Sequence, residues 1–191
     1  MKKLLLVLIS FLALTKAMAI SEEAVVKISS YPCGNLKGGL TGSGLLVTHE
    51  NETYVLTSEH VVLHSNQGIC HAVKNADLGS KKATLVAADW GMGLAVLKLI
   101  EPVQGSFPSL DSLSVTPASV QTKITAYGYP SQSTELREDH TGSVLNTKSR
   151  SSLIPFVWKF VEAESRFVEY GMSGGPVFGT DSDAFMGILT N

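Results

Sequence analysis

The sequence predicts an all-β chain folded as two lobes, and three observations carry that expectation. From Ser21 onward the apolar stretches are short and rich in β-branched residues. Gly, Pro, Ser or Asn interrupts them about every ten residues, as turns do between the strands of a barrel or sandwich. No segment after the N-terminus carries the apolar periodicity of a long helix. Residues 101–118 hold Pro102, Pro108 and Pro117 among several serines, which suits a connector between lobes.

Composition supports a folded chain. Of 191 residues, 44% are hydrophobic and 17% charged, enough apolar surface to bury a core. The 15 Lys and Arg are offset by 17 Asp and Glu, and no basic run is longer than two residues, so a nucleic-acid partner is disfavoured.

The N-terminus reads as an address. Lys2 and Lys3 precede an apolar run from Leu4 to Leu14, and Ala17-Met18-Ala19 offers the small alternate residues of a signal-peptidase site. Eleven residues, apolar but for Ser10 and closed by Lys16, fall short of the roughly 20 that span a bilayer, so a membrane anchor is the minor reading. Cleavage after Ala19 would leave 12 basic and 17 acidic side chains, a net charge of −5, on a secreted or periplasmic protein with no membrane span.

Candidate strands then follow at 24–29, 44–48, 53–57, 83–87, 94–99, 123–127, 142–145, 156–162, 175–178 and 185–189. They group into a first lobe over 20–103, a connector over 104–118 and a second lobe over 119–191. Cys33 and Cys70 are an even pair in an exported chain, so one disulfide is the leading expectation, closing a loop that contains His60. Two free thiols, or a zinc site using both cysteines with His64 and His71, are the alternatives. No C-x-x-C spacing supports a metal, and no cofactor is expected.

The most specific string is Gly171-Met172-Ser173-Gly174-Gly175-Pro176. Glycines around a serine permit a tight turn that exposes the hydroxyl while backbone N–H groups converge nearby. Acyl transfer needs that pairing, because the hydroxyl must attack and the donors must meet the charge that develops on the carbonyl oxygen. The bland alternative is a Gly-rich hairpin. A second string, Thr57-Ser58-Glu59-His60-Val61-Val62, follows the apolar Tyr54-Val55-Leu56 and supplies an imidazole just past a strand, where an isolated histidine would ordinarily be structural.

With Gly42-Ser43-Gly44, Leu94-Ala95-Val96-Leu97-Lys98-Leu99, Ala126-Tyr127-Gly128-Tyr129-Pro130 and Gly187-Ile188-Leu189-Thr190, these strings run in one order along nearly the whole chain after the leader. In that order they resemble the trypsin-like serine peptidases, most nearly the bacterial high-temperature-requirement branch. The resemblance implies two six-stranded antiparallel β-barrels with a crevice between them and a polypeptide substrate. It also implies Ser173 as nucleophile, His60 as general base, and an oxyanion hole from the N–H groups of Gly171 and Ser173. The strand holding Leu189 and Thr190 would pair with substrate, and Phe167 would lie near the specificity pocket.

The sequence departs from the family in three places. Gly93 stands where the family carries the aspartate that orients the histidine, a residue whose replacement by an amide costs about 10⁴ in turnover in this class. Asp89 is the nearest carboxylate. It lies about 13 Å upstream along an extended strand, so it becomes the candidate third member only if residues 90–93 fold back as a turn. Met172 replaces the aspartate that captures a new N-terminus in digestive members, leaving Ile20 without an ionic partner there. The sequence also stops at Asn191, before the further strand and helix usual in the family, so the second barrel is expected to be incomplete at that end, with an exposed edge. The leading expectation is an exported serine endopeptidase, weakened by Gly93. The alternative is an inactive protease-like protein that binds an extended peptide or partner chain in the crevice.

Overall fold

The computed structural model describes residues 22–34, 39–62, 68–89, 91, 93–113, 119–146, 162–164, 168–182 and 184–190. Six strands form a closed antiparallel barrel: β1 (Val25–Pro32), β2 (Leu40–His49), β3 (Glu52–Ser58), β4 (Ile69–Asn75), β5 (Gly79–Asp89) and β6 (Leu94–Leu99), in the order β1-β2-β3-β6-β5-β4. Five more, β7 (Lys123–Gly128), β8 (Arg137–Asn146), β9 (Glu162–Glu164), β10 (Pro176–Gly179) and β11 (Phe185–Ile188), form a second sheet in the order β11-β10-β7-β8-β9. Among the described residues that sheet does not close on itself.

Local chemistry accounts for the elements. In β6 burial alternates, with Ala95, Leu97 and Leu99 facing the barrel interior, as a strand with one wet face requires. The β2–β3 hairpin turns on Glu50 and Asn51, both at positive φ (49° and 65°), the backbone of a two-residue turn that matches the strand twist. Strand β1 is buried almost throughout because its two faces meet different partners. Val26 and Ile28 enter the barrel core, whereas Lys27 points toward the second sheet, where its Nζ donates to the carbonyls of Pro130, Ser131 and Ser133 at 2.8–3.2 Å. Burial, and then the charge of Lys74, holds the Lys27 pKa below the ordinary lysine value. Keeping it charged therefore costs stability at neutral pH, and the cost fades as pH rises from the folded to the unfolded value. Phe178, Phe185 and Ile188 of the second sheet pack into the barrel's apolar cluster, so both units share one core.

Residues 108–112 dock on the first barrel. Thr48 donates its N–H to Pro108 O (2.9 Å), and Ser109 Oγ accepts from Asp111 N to cap a short 3-10 turn at Leu110–Ser112. Most expected strands occur; those expected at 44–48, 53–57, 83–87 and 142–145 extend beyond their expected bounds at both ends, and the one at 94–99 matches. The strand expected over 156–162 lies outside the described residues apart from Glu162, which begins β9. Strand β4 was not expected, and its inward positions explain why. They are His71 and Val73, and a histidine in a core position hides the alternation. Its burial is tolerable because His71 Nδ1 lies 2.8 Å from Ser30 Oγ.

Cys33 and Cys70 form a disulfide between the end of β1 and the start of β4, reinforced by Cys33 N–H donating to Gly68 O at 2.9 Å. Both thiols are thereby withdrawn from metal binding; His64 lies outside the described residues. The bond closes a 37-residue separation. Replacing both cysteines by serine is expected to cost about 3–4 kcal/mol, read as a lower denaturant midpoint under oxidising conditions with native and variant converging in reductant.

Candidate functional site

The serine loop is built by backbone constraints that only glycine meets. Gly171 and Gly174 have φ of +102° and +89°, and both sites lack room for a side chain. A Cβ on Gly171 would overlap Ser131 N, one on Gly174 would overlap Ser43 O and Thr57 Oγ1, and one on Gly175 would overlap Tyr127 O. The loop therefore lies flat against the ends of β2, β3 and β7. Met172 between them is fully buried, with Sδ accepting from Glu169 N–H at 3.5 Å, so this position is filled by an apolar side chain instead of an ion pair.

Ser43, in β2, ties the loop to the first barrel with two bonds and is itself braced by two more. Its N–H donates to Ser173 O at 2.7 Å, and its hydroxyl donates to Gly171 O at 2.9 Å while accepting from Tyr129 N–H at 2.8 Å. Its carbonyl accepts from Thr57 Oγ1 at 2.7 Å. From the opposite side Gly174 N–H donates to Leu189 O (2.7 Å) and Leu189 N–H to Gly175 O (2.8 Å). The sequence offered Ser43 only as part of a motif. Its clamping role depends on neighbours more than 80 positions away, which no local pattern encodes.

The consequence is a set of available donors. Met172, Gly174 and Gly175 each spend their N–H on a backbone carbonyl, whereas among the described residues Gly171 and Ser173 N–H have no backbone acceptor. Two unspent N–H groups on alternate residues around a half-exposed serine can receive an oxyanion.

His60 enters from the other side. Strand β3 ends at Ser58, and Glu59–Val61 make one 3-10 turn whose first N–H donates to Gly93 O at 2.9 Å. That turn puts the half-buried imidazole beside the β3 end, against which Gly174 is packed: a Cβ on Gly174 would lie 3.0 Å from Ser58 N. His60 and Ser173 thus stand on two segments in direct contact across the junction of the units.

Ser58 is what His60 Nδ1 meets. Its Oγ lies 2.8 Å from Nδ1, 3.2 Å from Gly93 O and 3.0 Å from Thr190 Oγ1, and Ser58 is completely buried. Asp89 closes β5. Both it and Ser58 pair with Leu94 on opposite edges of β6, which sets them two strand spacings apart, about 10 Å. Gly93 follows with φ +67°. Leu189 uses its N–H and carbonyl inside the serine loop, so Thr190 is the member of that pair whose backbone makes no backbone bond among the described residues. Phe167 lies outside the described residues. No cluster of three potential metal ligands occurs among the described residues. Likewise, no helix there is long and apolar enough to cross a membrane.

A profile of the trypsin-like peptidase domain matches residues 42–188. Among solved structures, the active form of the Rv3671c protease from M. tuberculosis is 24% identical with a TM-score of 0.64, covering 92% of this chain and 73% of that one. Deg5 is 22% identical at a TM-score of 0.65, with 92% and 82% covered. The serine endoprotease from Yersinia pestis is also 22% identical at 0.65; the match takes in 91% of this chain and 56% of that one. At these identities the likenesses concern the fold. No curated protein matches the chain.

Proposed function

Starting from a chain that belongs to the trypsin-like peptidase domain family, we propose an exported serine endopeptidase that cleaves polypeptides through an acyl-enzyme on Ser173. His60 Nε2 takes the hydroxyl proton as Oγ attacks the scissile carbonyl. The tetrahedral oxyanion is held by the N–H groups of Gly171 and Ser173. Collapse returns the proton to the leaving amine. A water then repeats the sequence on the ester, and the acid product departs.

The observation that carries this reading is the loop's geometry: among the described residues Gly171 and Ser173 N–H have no backbone acceptor, while every other N–H from Met172 to Gly175 is bonded. Export rests on the leader-like residues 1–19 and agrees with the disulfide. The reaction needs no metal or organic cofactor.

A fluorophosphonate probe tests the proposal. The native chain is expected to take up one label, mapped to Ser173 by peptide mass analysis, and Ser173→Ala is expected to take up none. A folded native chain that stays unlabelled, shown by an unchanged melting transition, would instead favour the alternative of a protein that holds an extended peptide or partner chain without cutting it. The hydroxyl that faces His60 in place of a carboxylate is the observation on that side.

A further inference from the structure

Ser58 has one proton to give and three polar neighbours, and counting protons assigns every bond. Gly93 O can only accept, so the contact at 3.2 Å takes the Ser58 hydroxyl proton. The two lone pairs left on Oγ then accept from Thr190 Oγ1–H at 3.0 Å and from His60 Nδ1–H at 2.8 Å. With its bond to Cβ the oxygen is fully used. The opposite assignment, Ser58 donating to Nδ1, would set two acceptor oxygens against each other at 3.2 Å inside a buried site. Only the first arrangement puts the proton of the neutral ring on Nδ1 and leaves Nε2 unprotonated.

From this we infer that Ser58 is the positioning residue of His60: a buried hydroxyl, held by Gly93 O and Thr190, fixes the Nδ1–H tautomer that the family assigns to a carboxylate. The inference rests on the peptidase reading for its kinetic meaning, but its structural content stands apart. Gly93 contributes through its backbone. Its carbonyl accepts from both Glu59 N–H and Ser58 Oγ, so the position that lacks the acid side chain still anchors the turn that carries His60. A hydroxyl reproduces the acid's directional role without its negative charge, so the imidazolium formed during acylation is less stabilised than beside a carboxylate.

Nitrogen NMR of the native protein, labelled at histidine, measures the tautomer directly and needs no variant. The expected result is a neutral His60 with its proton on Nδ1. A proton on Nε2 overturns the inference. In Ser58→Ala the neutral ring is expected to lose its Nδ1–H preference, and kcat on a peptide substrate is expected to fall by about 10²-fold with KM within about twofold, smaller than the roughly 10⁴ lost with a triad acid. A folded Ser58→Ala with unchanged tautomer and unchanged kcat also overturns it. Thr190→Val removes one donor to Ser58 and is expected to cost about tenfold or less in kcat. If the native chain shows the Nδ1–H tautomer, and loses it in Ser58→Ala, while no fluorophosphonate label appears, the peptidase reading falls and the orienting role of Ser58 stands.

Discussion

Turnover by His60→Ala is expected to fall by about 10⁴-fold, close to 5.5 kcal/mol of activation free energy at 1.36 kcal/mol per decade, with no loss of thermal stability. Without an acceptor for its proton the Ser173 hydroxyl attacks only as a neutral alcohol, and what remains is the contribution of the Gly171 and Ser173 N–H groups and of substrate placement. Fold stability should be unmoved because His60 lies half-exposed on a single turn and Ser58, its side-chain partner among the described residues, keeps two others. Steady-state hydrolysis of a fluorogenic peptide alongside a melting curve checks both halves. A variant that retains most of the native kcat would remove His60 from the reaction. A starting activity weakened by the missing carboxylate would compress the measured ratio, so it should be compared with Ser173→Ala as the floor.

Gly174→Ala is expected to cost about 3–5 kcal/mol in stability and to abolish probe labelling. The cost has two sources: a side chain at φ +89° is strained, and its Cβ would overlap Ser43 O and Thr57 Oγ1 in a packed junction that cannot yield. A control separates them. Gly79 has φ +64° with open space where a Cβ would go, so Gly79→Ala should lose only the strain, about 1 kcal/mol. Paired urea titrations give the difference. Equal losses in the two variants would show that close approach at Gly174 contributes nothing, and with it the account of how the serine loop is held.

Several site features were legible in the sequence because they are local. The string 171–176 announces a constrained turn through its glycines, and the string 57–62 places an imidazole at the end of a strand. Strand β6 shows its alternation openly in Leu94–Leu99. Strand β4 was hidden by the buried His71, whose Nδ1 meets Ser30 Oγ on the neighbouring β1. Asp89 is the carboxylate nearest Gly93 along the chain, and distance along the chain is the only distance a sequence offers. The sheet register instead sets Asp89 across β6 from Ser58, whose own significance came from partners 35 and 132 positions away.

By itself, then, the order of residues determined the strand-rich class, the glycine-lined turn and the two reactive side-chain types, since each depends on backbone preference or composition within a few positions. The tertiary structure alone decided that Ser43 clamps the serine loop, that two particular N–H groups have no backbone acceptor among the described residues, and that a buried hydroxyl faces the imidazole. Those are hydrogen-bond assignments between distant segments, and a buried donor or acceptor acquires its partner only when the sheets close around it.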